Sequence, residues 1–493
     1  MKKIIINLLS IFFAISVVDG QEANKVLTLN DVVQLALEQS PHAILAKHKY
    51  RSSYWEYRSY KSSMLPALTL DANVLNFNNT YRSIPQEDGS EVYRNIPTNS
   101  SGANLSLQQN VGLTGGRIFI SSDLERRDDF NADSNGISYK STPIRIGYLQ
   151  PAFQFNAYKW EKKIEPIKFE EAKKQYVLEL EQIAERAINS FYNLATSQLN
   201  VDISSTNFHN NDTLYKIAQG RYNMGTIAEN ELLQLELSYL QSKSALAQSK
   251  IDLEISMFQL RSFLGFNELV KIKLEIDSDI PELEINLDQA FEKATENSGE
   301  LLAYQRQLFE VERDVAKAKA ENRFNANLYA TYGLNQTAYN FNNSYEEPDN
   351  QQEFRVGIQI PILDWGEGKG RYKMAQSNQE VIRTQVQQSR IDFQQRVMLK
   401  VMQFNEQSNQ VYIAAKADTV AQKRFKVAKQ RFLIGKINVL DLNMASADKD
   451  MARRSNLMAQ KTYWTYYYNI RQLTLFDFLN NKALETEFDS LIE

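Results

Sequence analysis

The sequence predicts a mainly α-helical fold with membrane β-strands, in which long antiparallel helical hairpins joined to β-hairpins are written twice along the chain. Three observations predict it. Residues recur at two constant offsets: at 258, Leu29, Ala36, Glu38 and Ser40 return as Leu287, Ala294, Glu296 and Ser298. At 210, Gly147, Pro151, Arg186, Ala218, Arg221, Gly225 and Arg261 return as Gly357, Pro361, Arg396, Ala428, Arg431, Gly435 and Arg471. Second, runs of about 60 residues carry almost no Gly or Pro, which reads as uninterrupted helix. Third, runs of about 8–11 residues between them alternate apolar with polar, the period of a strand with two unlike faces.

Composition narrows the field. A chain of 493 residues with only 18 Gly and 10 Pro has few places to turn, so its elements must be long. Its 43% hydrophobic share and mean hydropathy of -0.46 exclude a polytopic helical membrane protein, which needs repeated apolar runs of about 20 residues. A net charge of -4 leaves no electrostatic footprint for nucleic acid. With no Cys, thiol catalysis, disulfides, Cys-based zinc sites and a lipid-modified N-terminal Cys are all excluded. The three His (His42, His48, His209) show no metal-ligand spacing, and there is neither a Gly-rich phosphate loop nor a Gly-x-Ser-x-Gly turn.

In chain order, Met1-Lys2-Lys3, the apolar stretch 4–18 and the small residues around Gly20 read as a secretory signal over 1–20, too short to span a bilayer comfortably. The mature chain then begins near Gln21 and is exported. A first repeat is expected over 21–284 and a second over 285–493. Each opens with a short helix (30–39, 288–297) and a longer one ending near Met64 and Arg323. Strands follow, over about 66–150 and about 326–361, with Asn/Ser/Gly/Pro-rich loops at 76–101 and 339–352. Helix pairs then occupy about 155–265 and about 364–475. Val386, Phe393, Val397, Val401, Phe404 and Val411 step like a coiled-coil stripe; the first-repeat counterpart is broken early by Pro166. Each long helix turns at Gly225 or Gly435, where Gly supplies the left-handed residue that ends a helix, and a partner helix returns over 229–264 or 439–475. At 1.5 Å per residue, some 60 residues reach about 90–100 Å, so these helices must pack together in a bundle or tube.

The strands suit a bilayer. Leu68, Leu70, Ala72 and Val74, then Leu328, Ala330, Tyr332 and Leu334, then Phe354, Val356, Ile358 and Ile360 would face outward, with Thr69, Asp71, Asn73, Arg355 and Gln359 on the wet side. A half-buried sheet packed on helices would show the same alternation. Four to six strands from one chain cannot close a barrel, so the chain must pool strands with copies of itself or stay out of the membrane.

The duplicated order, the Arg-aromatic-x-x-Gly turns at Arg221 and Arg431, the Pro361-Ile-Leu-Asp-Trp-Gly-Glu-Gly368 stretch, and the Leu27-Thr-Leu opening with Ala36-Leu37 resemble the TolC family of outer-membrane efflux proteins. The resemblance covers essentially all of the mature chain. It implies a homotrimer whose shared transmembrane β-barrel continues into a periplasmic α-barrel: a passive outer-membrane channel of a tripartite efflux or type I secretion system. It implies outer-membrane lipid, a periplasmic adaptor and an inner-membrane transporter as partners, and neither catalysis nor a cofactor. The alternative from another class is a soluble periplasmic coiled-coil scaffold. The offsets differ by 48, so the first repeat has 48 extra residues between Leu65 and Gly147, including the turn Leu113-Thr-Gly-Gly116. They are either a hairpin folded over the mouth or two further membrane strands. The joint Ala152-Phe-Gln-Phe-Asn-Ala-Tyr158 also departs from the family, which often has a Gly-Gly turn there.

Relatives narrow the periplasmic end with a ring of acids. Aligned from Gly435, that position is Asp441, with Met444 in place of a second acid and Glu231 at the matching spot of the first repeat. Carboxylates repeated around an axis repel one another and attract cations, although an acid in a first helical turn also answers the helix dipole. Polar links that shut the tube in relatives fall on Phe432 and Ile437, neither of which can repeat them; Lys436 is the candidate substitute. Arg221, Gly225, Arg431 and Gly435 would form the tip that meets an adaptor, and capping accounts for the same residues. The cluster Tyr463, Trp464, Tyr466, Tyr467 and Tyr468 reads as packing.

Overall fold

A capping box starts the helical part: the Thr28 hydroxyl accepts from the Asp31 N–H, and the Asp31 carboxylate accepts from the Thr28 N–H at 2.9 Å. The computed structural model describes residues 24–86, 88–130, 136–266, 270–277 and 280–492, so the expected signal over 1–20 and the start at Gln21 lie outside the described residues. β1 (Asn24–Leu27) leads into α1 (Leu29–Gln39) and α2 (Pro41–Ser63). Four strands follow, β2 (Ala67–Pro85), β3 (Glu91–Val111), β4 (Gly116–Asp129) and β5 (Ile137–Ala152), and then the helices α3 (Ala157–Asn223) and α4 (Glu229–Leu264). β6 (Lys271–Leu274) pairs in parallel with β1. Next come α5 (Leu287–Asn297), α6 (Gly299–Glu321), β7 (Asn325–Ala338), β8 (Asp349–Gln359), α7 (Glu367–Leu433) and α8 (Val439–Thr474). Two-residue strands β9 (Phe476–Asp477) and β10 (Lys482–Ala483) follow, and a single 3-10 turn at Asp489–Leu491 comes after them.

The helices coincide bound for bound. Shifted by 258, α1 and α2 fall on α5 and α6; shifted by 210, α3 and α4 fall on α7 and α8. The expected stripe is buried at every position: Val386, Phe393, Val397, Val401, Phe404 and Val411. Five of its six counterparts at the offset of 210, Tyr176, Ile183, Ala187, Phe191 and Leu194, are buried as well, and the sixth, Val201, is half-buried. Pro166 does not interrupt α3, contrary to expectation. A proline removes one N–H bond and crowds the turn before it; here the helix runs on, with Ile164 buried beside it.

All six long strands form one antiparallel sheet in the order β2-β3-β4-β5-β7-β8. They run from 11 to 21 residues, longer than the alternation suggested, and the expected loop 76–101 is mostly strand. β2 and β3 stay paired from Ala67/Gln108 to Pro85/Glu91, with one irregularity between Asn73 and Asn76. β4 stops at Asp129, opposite Thr98, so the far end of the β2–β3 hairpin extends past its neighbour.

Register decides the faces. One row crosses the whole sheet as Leu68, Leu107, Ile120, Ile146, Tyr332 and Gln352, and all but the last are exposed apolar side chains. The row on the other face reads Thr69, Ser106, Ser121, Arg145, Gly333 and Gln351. There Arg145 is paired with Asp123 at 2.7 Å, and Phe119 lies over Gly147, where a Cβ would meet the ring at 2.1 Å. Only a glycine admits that ring.

The chain packs as two units, and both draw on both repeats: one takes the chain up to Ala46, Leu178–Ala290 and Met398–Leu484, the other Lys47–Val177, Phe291–Val397 and the last residues from Glu485. In the first, Tyr463 and Tyr467 are fully buried against Phe404 at ring separations of 5.1 and 5.8 Å, and their hydroxyls donate to Pro281 O and to Asp477, each at 2.6 Å. This part of the aromatic cluster is packing, as expected. The second unit holds the six-stranded sheet. Among the described residues no helix is long and apolar enough to cross a membrane.

Candidate functional site

Both helix hairpins turn in the same way. Gly225, at φ +69°, donates to Tyr222 O at 2.7 Å, and Thr226 N donates to Arg221 O at 2.9 Å. Gly435, at φ +71°, donates to Phe432 O at 3.0 Å, and Lys436 N to Arg431 O at 2.9 Å. These bonds satisfy carbonyls that a helix end leaves open, and the left-handed backbone is one that a side chain resists. The Arg221 guanidinium donates to Leu433 O at 3.1 Å, which ties the first turn to the end of α7.

Beyond each turn an acid takes the third place of the returning helix: Glu231 in α4, and Asp441 in α8. Asn438 caps α8, its side chain accepting from Asp441 N at 2.8 Å; Ala228, at the equivalent position, offers no such bond. Glu231 and Asp441 are exposed and line one cavity of about 530 Å³ with Arg221, Gly435 and Lys436. Gly225 and Arg431 lie outside its lining. The expected residues therefore meet in part: both acids, one of the two arginines and one of the two glycines.

What holds these turns together is apolar. Leu214, Ala218, Leu235, Phe432, Val439 and Leu442 form one buried cluster, and Ile437 packs against it. Phe432 and Ile437, the two positions where the resemblance implied polar links, thus both belong to a hydrophobic cluster, and burying a side chain such as Phe432 contributes about 2–3 kcal/mol. Lys436 is exposed at the cavity beside the two acids.

Sequence reasoning missed a polar layer farther along the same helices. A cavity of about 420 Å³ is lined by Asn207, Asn210, Asn211, Ser242, Asn443 and Asp450. Lys449 and Asp450 are both buried, 3.1 Å apart, and Asn207 donates to the other Asp450 oxygen at 2.6 Å. Lys429 donates to Asn210 at 2.7 Å. A signal was present: Val439, Leu442 and Ala445 step along the buried face of α8, and the next step lands on Lys449, a charge where the stripe calls for an apolar residue.

Residues 290–474 match the family described as outer membrane efflux protein. Most of the second repeat thus resembles an outer membrane efflux protein domain. The outer membrane channel CmeC of Campylobacter jejuni is similar to 94% of this chain over 88% of its own, with a TM-score of 0.66 at 15% identity. The outer membrane protein VceC of Vibrio cholerae is similar over 93% of this chain and 97% of its own, with a TM-score of 0.62 at 13% identity. A membrane protein of Pseudomonas aeruginosa is similar over 93% and 92%, with a TM-score of 0.64 at 10% identity. At such identities the likeness is one of fold, and it extends to the chain outside residues 290–474. No curated protein matches the sequence. Asp441, Arg431 and Gly435 lie inside the efflux-protein domain, and Glu231, Arg221 and Gly225 are their equivalents in the first repeat.

Proposed function

We propose that this protein is the outer-membrane exit duct of a tripartite efflux or type I secretion system, a passive homotrimer with its helices in the periplasm. One observation carries the reading. In a chain with an outer membrane efflux protein domain, the six-stranded sheet leaves an apolar face uncovered and both of its edge strands, β2 and β8, unpaired. In water such a face and such edges invite aggregation; in a bilayer the face is solvated by lipid, and the edges must be closed. A periplasmic scaffold would have to cover both, and among the described residues nothing covers the apolar row.

The helix turns, with Arg221, Gly225, Arg431 and Gly435, are the end that an adaptor and an inner-membrane transporter would reach. Asp441 and Glu231 are its candidate aperture. The reading assigns no catalysis and no cofactor. The test is fractionation followed by mass measurement in detergent. The protein should stay with outer membrane, migrate differently on a gel after heating, and have about three times the monomer mass, since open edges cannot persist in lipid. A soluble or monomeric particle with its full β signal would refute it.

A further inference from the structure

The geometry points to the 48-residue insertion being barrel wall: β3 and β4 are two additional membrane strands, and a ring of three chains closes with eighteen strands. This rests on the duct reading above and adds to it the size of the barrel. Removing the insertion would leave two strands per repeat, β2 with β5 and β7 with β8, and a ring of twelve.

Four observations place β3 and β4 in the wall. First, they lie between β2 and β5 in an unbroken sheet, β3 paired to β4 from Thr98/Asp129 to Val111/Gly116. A flap over the mouth would leave β2 free to pair with β5 directly. Second, the insertion continues both faces. Leu105, Leu107, Ile118 and Ile120 extend the exposed apolar surface begun by Leu68 and Leu70, while Asn104, Ser106 and Ser121 extend the polar one. Lipid-facing and lumen-facing residues of a membrane barrel alternate in this way.

Third, the base of the insertion is fastened to the helices. Asn156 donates to Gly112 O at 3.1 Å and Leu113 O at 3.2 Å, while its carbonyl accepts from Lys159 N at 3.2 Å at the start of α3. One side chain thus caps the helix and clamps the β3–β4 turn. The unusual joint before α3 and the insertion are therefore a single feature, because the joint supplies the residue that seats the extra hairpin. Fourth, the strands alternate in direction from β2 to β8, so β8 of one copy meets β2 of the next antiparallel, and an even number per chain keeps that pattern around the ring. Barrel diameter grows roughly linearly with strand number, so eighteen strands give a bore about 1.5-fold wider than twelve, in the range that leaves an aqueous channel.

The experiment uses the absence of native Cys, which lets a single spin label report alone. The full-length protein in lipid vesicles carries one label at a time, through Leu107→Cys or Ile120→Cys on the apolar face and Gln108→Cys or Glu125→Cys on the polar face. Leu70→Cys in β2 and Val356→Cys in β8 serve as references. Labels at 107 and 120 should be relaxed by dissolved oxygen as strongly as those at 70 and 356, while labels at 108 and 125 respond to a water-soluble nickel chelate. Counting strands in the purified particle by electron cryo-microscopy should give eighteen. If 70 and 356 see lipid while 107 and 120 see only water, or the count is twelve, the insertion is not wall and the inference is overturned with the duct intact. If 70 and 356 do not see lipid either, the duct reading itself fails.

Discussion

The Lys449 ammonium sits 4.3 Å above the ring of Phe425, in the place where the first repeat stacks Tyr239 on Tyr215 at 5.7 Å. The pairs are equivalent at the offset of 210. A ring face accepts either a cation or a second ring, so one slot serves two chemistries. The exchange brings a buried charge with it: Asp450, beside Lys449, stands where the first repeat has the exposed Leu240.

Lys449→Ala should therefore destabilise the particle by about 3 kcal/mol, because Asp450 is left buried with only Asn207. The double change Lys449→Tyr with Asp450→Leu copies the first repeat and should recover the parent's stability to within about 1 kcal/mol. Thermal melting followed by circular dichroism in detergent measures both. A double variant no better than Lys449→Ala would show that the charges do more than fill the slot.

At the turns, Asp441→Asn should weaken cation selectivity and relieve block by multivalent cations in planar-bilayer recordings, with assembly unchanged. Met444→Asp should deepen that block. If Asp441 only answers the dipole of α8, Asp441→Asn would leave the current alone and cost at most ~1 kcal/mol of helix stability.

Much of this was legible in sequence because it is periodic. The offsets fall on helix ends, and the stripe from Val386 to Val411 is buried as its spacing required. What was illegible was local. The strand from Asn76 to Pro85 alternates in Asn, Thr and Ser as much as in apolar residues, so its composition reads as loop while its backbone stays in the ladder. The clamp by Asn156 joins residues more than 40 positions apart, and no short-range pattern encodes it. Phe432 and Ile437 could be seen to break the family's polar link, but only packing shows what replaces it.

Acid should loosen the end of α8. Arg471 binds Glu181 at 2.7 and 2.8 Å and Asp477 at 3.2 Å. Burial alone would raise the Asp477 carboxyl, but hydrogen bonds from Tyr467 and Asn480 and the charge of Arg471 outweigh it and hold it below the ordinary 3.8. A lowered carboxyl adds stability that is present above the unfolded value and lost as pH falls through the folded one. Glu181 runs the other way: burial raises it above 4.5 in spite of Arg471, so protonation on acidification relieves a cost. The melting midpoint should drop below about pH 4, and Asp477→Asn should flatten that acid limb while costing about 1–3 kcal/mol at neutral pH. An acid limb as steep as the parent's would exclude Asp477 as its source.

Short epitope tags between Gln86 and Ser90, or within 339–348, should be reachable by antibody on intact cells. These segments join strands at the ends away from α2, α3, α6 and α7. Tags seen only after lysis would invert the topology.

α3 and α7 each span 67 residues, and α4 and α8 each span 36. Their two turns share one cavity, so they must arrive at the same level. Lengthening a single hairpin by one heptad would carry its turn about 10 Å past the other and empty the apolar cluster between them. Helix length in this chain is therefore a shared dimension, alterable only in both repeats together, whereas a strand pair can be added to one repeat alone. Variation among such proteins should accordingly accumulate in the girth of the strand end, while the reach of the helices stays locked by the need for two copies to agree.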